Sequence, residues 1–384
     1  MAGHDFNMAP LSGLRVVEFG QFIAVPAAAQ ALADLGADVI KVEPPTGDAA
    51  RYVGWSQDAA GPMFTAYNRG KRSVVLDLRS DQGRAHAVQL AINADVVLQN
   101  ARPGTMDKQG LGAGRLMEMA PRLIYGQVSG FGQTGVSSQR AGFDIAAQAE
   151  SGMMSLNGEA GRDPVRVGFT VVDVLAAQTL TSGILASLIR RATTGKGSLV
   201  NLSLIDVAVA ALSNAWSEYG LTGSMPTRRG NGQPTSAPAA EVIKTRDGMV
   251  VLSAYTEDHF AKLCVAIGHS ELTNDPRFIN NAQRVKHRTA LLAVLSDVIQ
   301  HMTSNEVCEL ATKAGIVAGA IRTMADVQPG QGGISPDLFV QVAARGRDPV
   351  RIPGLAMTLD GTRRSDGRLP GLGEHTEEVL AEIT

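Results

Sequence analysis

From Val171 to Arg191 the chain is almost wholly apolar or small and contains no proline. A run of that length predicts one long helix. Arg190 and Arg191 fall in its last turn, where cations complement the helix dipole, and Gly195 and Gly197 stop it. Leu199–Leu204 then reads as a strand. A helix apolar on nearly all faces belongs inside a large core, so the chain is expected to build a layered α/β domain around this unit. The odd residue is Asp173, a carboxylate near the helix start. An aspartate there either caps orphan backbone N–H groups or serves as a nucleophile at the positive end of the dipole. The residue alone does not decide.

Upstream, the pattern repeats strand, helix, strand. Leu14–Phe19, Pro26–Leu35 and Ala37–Glu43 form one such unit; Arg72–Leu78, Asp81–Asn93 and Asp95–Asn100 form a second. A helix at Ala113–Met119 and a strand at Leu123–Val128 continue the series. This is the signature of an open parallel, Rossmann-like sheet. The first unit lacks GxGxxG. The GFGQTG at Gly130–Gly135 follows a strand but leads into Val136–Arg140 rather than an apolar helix, so a glycine turn is expected there and not a dinucleotide site.

At 384 residues two domains are expected. The polar, Gly- and Pro-rich stretch Met225–Pro238 reads as a linker or mobile loop. Beyond it a hairpin at Ala240–Thr245 and Met249–Ser253, helices at Glu257–Ile267, Arg288–His301 and Ser304–Ala314, and a strand at Gly319–Arg322 predict a smaller α/β domain. The assignment is a large domain over 1–224, the loop and small domain over 225–330, and a C-terminal segment over 331–384 that is loop-rich from Ser335 and ends in a helix at Glu374–Ile383. A net charge of −2 argues against nucleic acid or an anionic membrane as partner. The two cysteines, Cys264 and Cys308, argue against a disulfide framework, and His259, His269, His287 and His301 lack metal-ligand spacing, so no metal is expected. The N-terminus shows no signal pattern and no stretch reads as a membrane span, giving a cytoplasmic expectation.

Several stretches together resemble the class III CoA-transferases, the CaiB/BaiF-type family that includes formyl-CoA and carnitine CoA-transferases and α-methylacyl-CoA racemases. They are LSGLRVVEFGQFIAVPAAAQALADLGADVIKVEPPTGDAAR, NRGKRSVVLDL, QNARPGTMDKQGL, YGQVSGFGQTG, TTGKGSLVNLSLID and PGLGEHTEEVL, in the family's order over nearly the whole chain. The resemblance implies a large domain formed from both chain ends, a small domain between them, and an interlocked homodimer. In VGFTVVDVLAAQ, Asp173 matches the family's catalytic aspartate.

The resemblance also implies the chemistry: CoA moves from an acyl-CoA to a carboxylic acid through aspartyl anhydrides and an aspartyl-CoA thioester, with CoA esters as substrates and no permanently bound cofactor. Such intermediates hydrolyse readily, and Gly230, Gly232 and Gln233 resemble the glycine loop that covers the aspartate; the bland reading of this stretch is a plain linker. Matching the family's CoA-contacting positions are Arg51, Lys71, Arg72, Asn100, Arg102 and Lys108, with Gln21 and Ile23 at the thioester pocket. Ile23 is apolar where formyl-CoA transferases carry glutamine, which speaks against a small oxalate-like substrate. The racemases move a proton with a histidine in GHD; here the triplet is Gly142-Phe143-Asp144, and phenylalanine moves no proton. Transfer is therefore the first expectation. A 2-methylacyl-CoA racemase using another base (Glu241 is one candidate) and a silent CoA-ester-binding protein are the alternatives. Arg166, Arg228 or Arg229 would suit the distal group of a dicarboxylate.

Overall fold

A computed structural model of the chain describes residues 9–55, 58–233, 236–343, 348–363 and 367–383. Residues 1–8, read above for a signal pattern, and 234–235 of the linker lie outside them. The chain divides into two compact units. One comprises the chain up to Met153, Arg166–Ser217 and Pro329 onward; the other comprises Met154–Val165 and Glu218–Gln328. The stretch Met154–Val165 thus groups with the second unit, a crossing that a single linear boundary at 224 does not contain.

In chain order the first unit carries β1 (Arg15–Glu18), α1 (Ala24–Asp34), β2 (Asp38–Glu43), α2 (Pro62–Tyr67), β3 (Arg72–Val75), α3 (Asp81–Ile92), β4 (Val96–Gln99), α4 (Thr105–Lys108), α5 (Ala113–Met119), β5 (Ile124–Ser129) and α6 (Asp144–Glu150). After the short α7 (Met153–Leu156) come α8 (Val171–Thr194), β6 (Leu199–Ser203), α9 (Leu204–Ala210) and α10 (Ser213–Thr222), with α7 from Met154 and α10 from Glu218 belonging to the second unit. The strands form a six-stranded sheet in the order β3-β2-β1-β4-β5-β6, every pair parallel. This is the Rossmann order. Its direction reverses between β1 and β4, and the loops after those two strands open the crevice where such sheets hold ligands.

Buried on both faces, the strands are near-continuous apolar runs; Val16, Val17, Ile40, Val97 and Ile124 are all buried. Helix α8 packs on α1 through small residues, with Ala28, Ala29, Ala176 and Ala177 in one core with Leu180 and Ile184. Full burial of a leucine or isoleucine is worth roughly 1.5–3 kcal/mol. Gly126 on β5 permits the approach: a Cβ there would lie 2.7 Å from Leu98 Cδ2 and 3.0 Å from Leu180 Cδ1.

The structure corrects the expectation that α8 is surrounded by core. Gln178, Thr179, Ser182, Ala186 and Ile189 are exposed, Ile189 by 73%. The run reads as apolar because its outer face is built from small residues. By length and composition α8 also passes as a membrane span, contrary to the sequence reading, but its inner face is packed into a protein core.

The C-terminal segment adds the antiparallel pair β10 (Phe339–Val342) and β11 (Val350–Pro353), which sequence reading left as loop, and α15 (Thr376–Ala381). The start of α15 covers the β3 edge: Ser73 N–H donates to His375 Nδ1 at 3.2 Å and Val75 N–H to Thr376 Oγ1 at 3.0 Å. The second unit has an antiparallel sheet of β7 (Glu241–Lys244), β8 (Met249–Ser253) and β9 (Val317–Ala320). Helices α11 (Glu257–Ala266), α12 (Asn281–Lys286), α13 (Arg288–Ile299) and α14 (Ser304–Ala314) accompany it around a core with Phe260, Leu263, Leu291 and Leu295.

Candidate active site

The loop after β1 is Gly20–Ile23 and the loop after β4 begins at Asn100. The Asn100 side chain brackets the backbone of Gln21 in the first loop: Gln21 N–H donates to Oδ1 at 2.9 Å and Nδ2 donates to Gln21 O at 2.8 Å. This fixes Phe22 at φ +64, left-handed backbone that costs a non-glycine residue about 1–3 kcal/mol. Phe22 N–H also reaches Asp48 Oδ1 at 3.4 Å, and its ring meets Phe143 edge-on at 5.8 Å. Ile23 follows as the N-cap of α1 and is buried.

A cavity of about 260 Å³ lies at this point, lined by Gln21, Phe22, Ile23, Asn100, Arg102, Arg140, Phe143 and Asp173 among others. Phe19, Gln21 and Ala101 also line a neighbouring cavity of about 390 Å³, walled by Pro44, Pro45, Thr46 and Asp77–Arg79. Phe19, Gln21 and Ala101 stand between the two chambers at the carboxyl ends of β1–β4, with Asp173 on the first chamber and Arg79 on the second.

Asp173 does not cap its helix. The N-cap of α8 is Thr170, with no side-chain capping bond. Instead Asp144, at the start of α6, accepts from Val172 N–H at 2.7 Å and Asp173 N–H at 3.4 Å. Gln148 Nε2 donates to its other oxygen at 2.6 Å. The Asp173 carboxylate itself accepts no hydrogen bond from any described residue. Burial first, and the Asp144 charge second, push its pKa up to about 7. Tyr67 lies within reach of that charge, its hydroxyl pKa raised by burial and then by Asp173. Sequence reading did not single out Tyr67 and Arg79 or the capping of α8 by Asp144; the Asp144–Gln148 pair, at i and i+4 of a helix start, was the available signal for the last.

The structure divides the expected CoA-binding residues. Gln21, Ile23, Asn100 and Arg102 line the Asp173 chamber, and Arg102 is exposed there. Lys108 is exposed on α4 but lines neither chamber. Three cations are taken up by protein carboxylates. Lys71 Nζ meets Glu18 at 2.7 Å, Pro26 O at 2.9 Å and Asn68 Oδ1 at 2.9 Å. Arg51 is bidentate on Glu43 at 2.6 and 2.7 Å and stacks 3.6 Å from the Phe64 ring centroid. Arg72 joins Asp38, Glu378 and Glu382. A phosphate would reach these cations only by displacing a buried or paired carboxylate, so their contribution as seen here is to hold the loops.

In the second unit, Gly230 has φ +62 and donates to Gly158 O at 3.0 Å. A Cβ on Gly232 would meet Arg288 Nη2 at 2.3 Å and Glu241 Oε2 at 2.9 Å, so the loop crosses the Glu241–Arg288 ion pair where no side chain fits. Gln233 is held by the Tyr255 hydroxyl. Glu241, one candidate base, is thereby committed to Arg288 at 2.6 Å.

Known proteins agree with this architecture. The profile of CoA-transferase family III matches residues 11–376. The chain is 34% identical to the succinate–glutarate CoA-transferase of Agrobacterium fabrum, over 97% of this chain and 96% of that protein. It is 32% identical to the human succinyl-CoA:glutarate CoA-transferase, over 98% and 86%. The crystal structure of a CAIB/BAIF family protein from Brucella suis superposes with a TM-score of 0.85 at 34% identity, covering 98% of this chain and 100% of that one. With its sheet order, its crevice and its full-length match, the chain belongs to CoA-transferase family III.

Proposed function

We propose that this protein transfers CoA between carboxylic acids, with Asp173 as the nucleophile. The observation that carries the reading is a half-buried carboxylate left without a hydrogen bond, on a crevice at the switch point of the sheet. In the proposed sequence an Asp173 oxygen attacks the thioester carbonyl and CoA leaves as thiolate, giving an acyl–aspartyl anhydride. The thiolate attacks Asp173's carbonyl, releasing the first acid and forming aspartyl-CoA. The incoming carboxylate then attacks the aspartyl-CoA carbonyl and expels CoA thiolate, giving a second anhydride, which the thiolate opens at the new acyl group with return of the Asp173 carboxylate. Phe143, where racemases place a histidine, lines the same chamber and supplies no base.

The two chambers suit a long thioester substrate, with pantetheine past Gln21 and Asn100 and the nucleotide end in the second chamber, where Arg79 is exposed but paired with Asp77 at 2.9 Å. The dicarboxylates in the relatives' names support a short diacid as acyl group. Of the three arginines considered for its distal carboxylate, Arg229 is paired with Glu218 and Arg228 donates to Ser155 O. Arg166 is exposed and makes no ion pair among the described residues, which favours it. The exposed outer face of α8 and the free edge of β6, where Leu199 is 50% exposed, support a second copy of the chain as partner.

Asp173→Asn tests the reading. Turnover with acyl-CoA and carboxylate falls by about 10⁴-fold or more, while CoA-ester affinity stays within a few-fold. Retained turnover contradicts it.

A further inference from the structure

We propose, on the transfer reading above, that Asp144 is the positioning residue for the nucleophile: it occupies the amide donors at the start of α8, and its fixed charge disfavours the free Asp173 carboxylate relative to the acylated one.

The argument begins with the helix end. The first turn of any helix leaves N–H groups without intrahelical partners, and an acidic residue in that turn commonly folds back to bond them. Asp173 is the third residue of α8 and is placed to do so. It does not, because a carboxylate from another helix already accepts from Val172 and Asp173 N–H. Asp144 is 3% exposed, and Gln148 holds its second oxygen while accepting Val167 N–H at 2.9 Å. The capping carboxylate is thus locked, and the nucleophile keeps its lone pairs.

Electrostatics points the same way. The dipole of α8 would stabilise the Asp173 anion and blunt its attack. Asp144 sets an opposing negative charge beside it. When an Asp173 oxygen bonds the acyl carbon and the C–S bond breaks, the electron pair leaves with CoA sulfur and Asp173 becomes neutral. The repulsion from Asp144 then disappears, so it favours covalent capture. The other charged or titratable groups around the chamber are Tyr67 on α2, which feels the Asp173 charge, and Arg102 and Arg140 on its walls; Arg140 is paired with Glu150. Burial and Asp144 together place the Asp173 titration at about 7.

The test is the pH dependence of single-turnover adduct formation on Asp173, followed by mass spectrometry in wild type, Asp144→Asn and Asp144→Ser, with thermal unfolding alongside. Wild type should lose reactivity below about pH 7. In both variants that limb should move down by about one unit or more, and the plateau should fall about tenfold, with acyl-CoA affinity within threefold. A plateau that falls while the limb stays put indicates a purely structural cap and overturns the proposal. Should the variants not fold, a wild-type limb at about 4, the ordinary aspartate value, overturns it as well. Wild type forming no adduct at all, or Asp173→Asn retaining turnover, refutes the transfer reading and this inference with it, a result distinct from an unmoved limb.

Discussion

Two groups of buried charge lie close together in the first unit and are built on opposite rules. Beneath the crevice, Glu18 bonds Lys41 at 3.0 Å and Lys71 at 2.7 Å, and Lys41 pairs with Asp48 at 2.9 Å while donating to Gly20 O at 2.8 Å. All four side chains are buried, and each has an opposite charge against it. At the start of α8, Asp173 has a like charge beside it and no donor on its carboxylate. The paired network fixes backbone: through Gly20 O and Asp48 it holds the loop that carries Gln21 and Phe22. The mismatched pair leaves a carboxylate with unsatisfied reactivity. Satisfied charge shapes this site, and the unsatisfied charge is where the proposed chemistry would occur.

Breaking each side gives opposite results. Asp173→Asn should lower turnover by about 10⁴-fold or more on the proposed reading, yet it removes an unfavourable charge. Lys41→Met strands Glu18 and Asp48 and should destabilise the fold by about 3–5 kcal/mol in urea unfolding. Unchanged stability of Lys41→Met would mean that the network holds nothing.

The stability of Asp173→Asn has a definite pH dependence. Because the folded-state pKa of Asp173 is raised above its unfolded value, ionising it costs stability as pH rises through the interval from about 4 to about 7. The variant should therefore be more stable than wild type at pH 8, by about 1–3 kcal/mol after allowance for partial solvent exposure. The gain should vanish below about pH 3, where both states are protonated. Equal melting temperatures at both pH values would contradict the raised titration.

A smaller effect separates Arg102, which makes no ion pair among the described residues, from the paired cations. Arg102→Ala should raise the KM for acyl-CoA about five- to tenfold with kcat within about twofold, the pattern of lost uniform binding. A loss confined to kcat would place Arg102 in the chemistry instead.

Much of the fold was legible because its signals are local. Strand–helix–strand periodicity gave the parallel sheet, and α14 was read to its ends because Thr303 and Glu306 form a capping box and Gly315 takes a left-handed C-cap. The aspartate was found through motif resemblance, not periodicity. What escaped depends on contacts distant in sequence. Lysine and arginine are ordinarily exposed, and nothing near Lys71 or Arg51 announces that Glu18 and Glu43 will bury them. Asp144 caps a helix that begins 27 residues later, at Val171 (171 − 144 = 27). The β10–β11 pair formed where proline and glycine suggested only loop.

The central claim is covalent: Asp173 becomes acylated and then carries CoA. Wild-type protein mixed with a panel of mono- and dicarboxylic acyl-CoAs, quenched with hydroxylamine and read by peptide mass spectrometry, tests it directly. A hydroxamate or CoA adduct on Asp173, absent in Asp173→Asn and strongest with a dicarboxylic acyl group, is the result expected. Deuterium uptake at the acyl α-carbon without any adduct would contradict transfer and move the protein to racemisation.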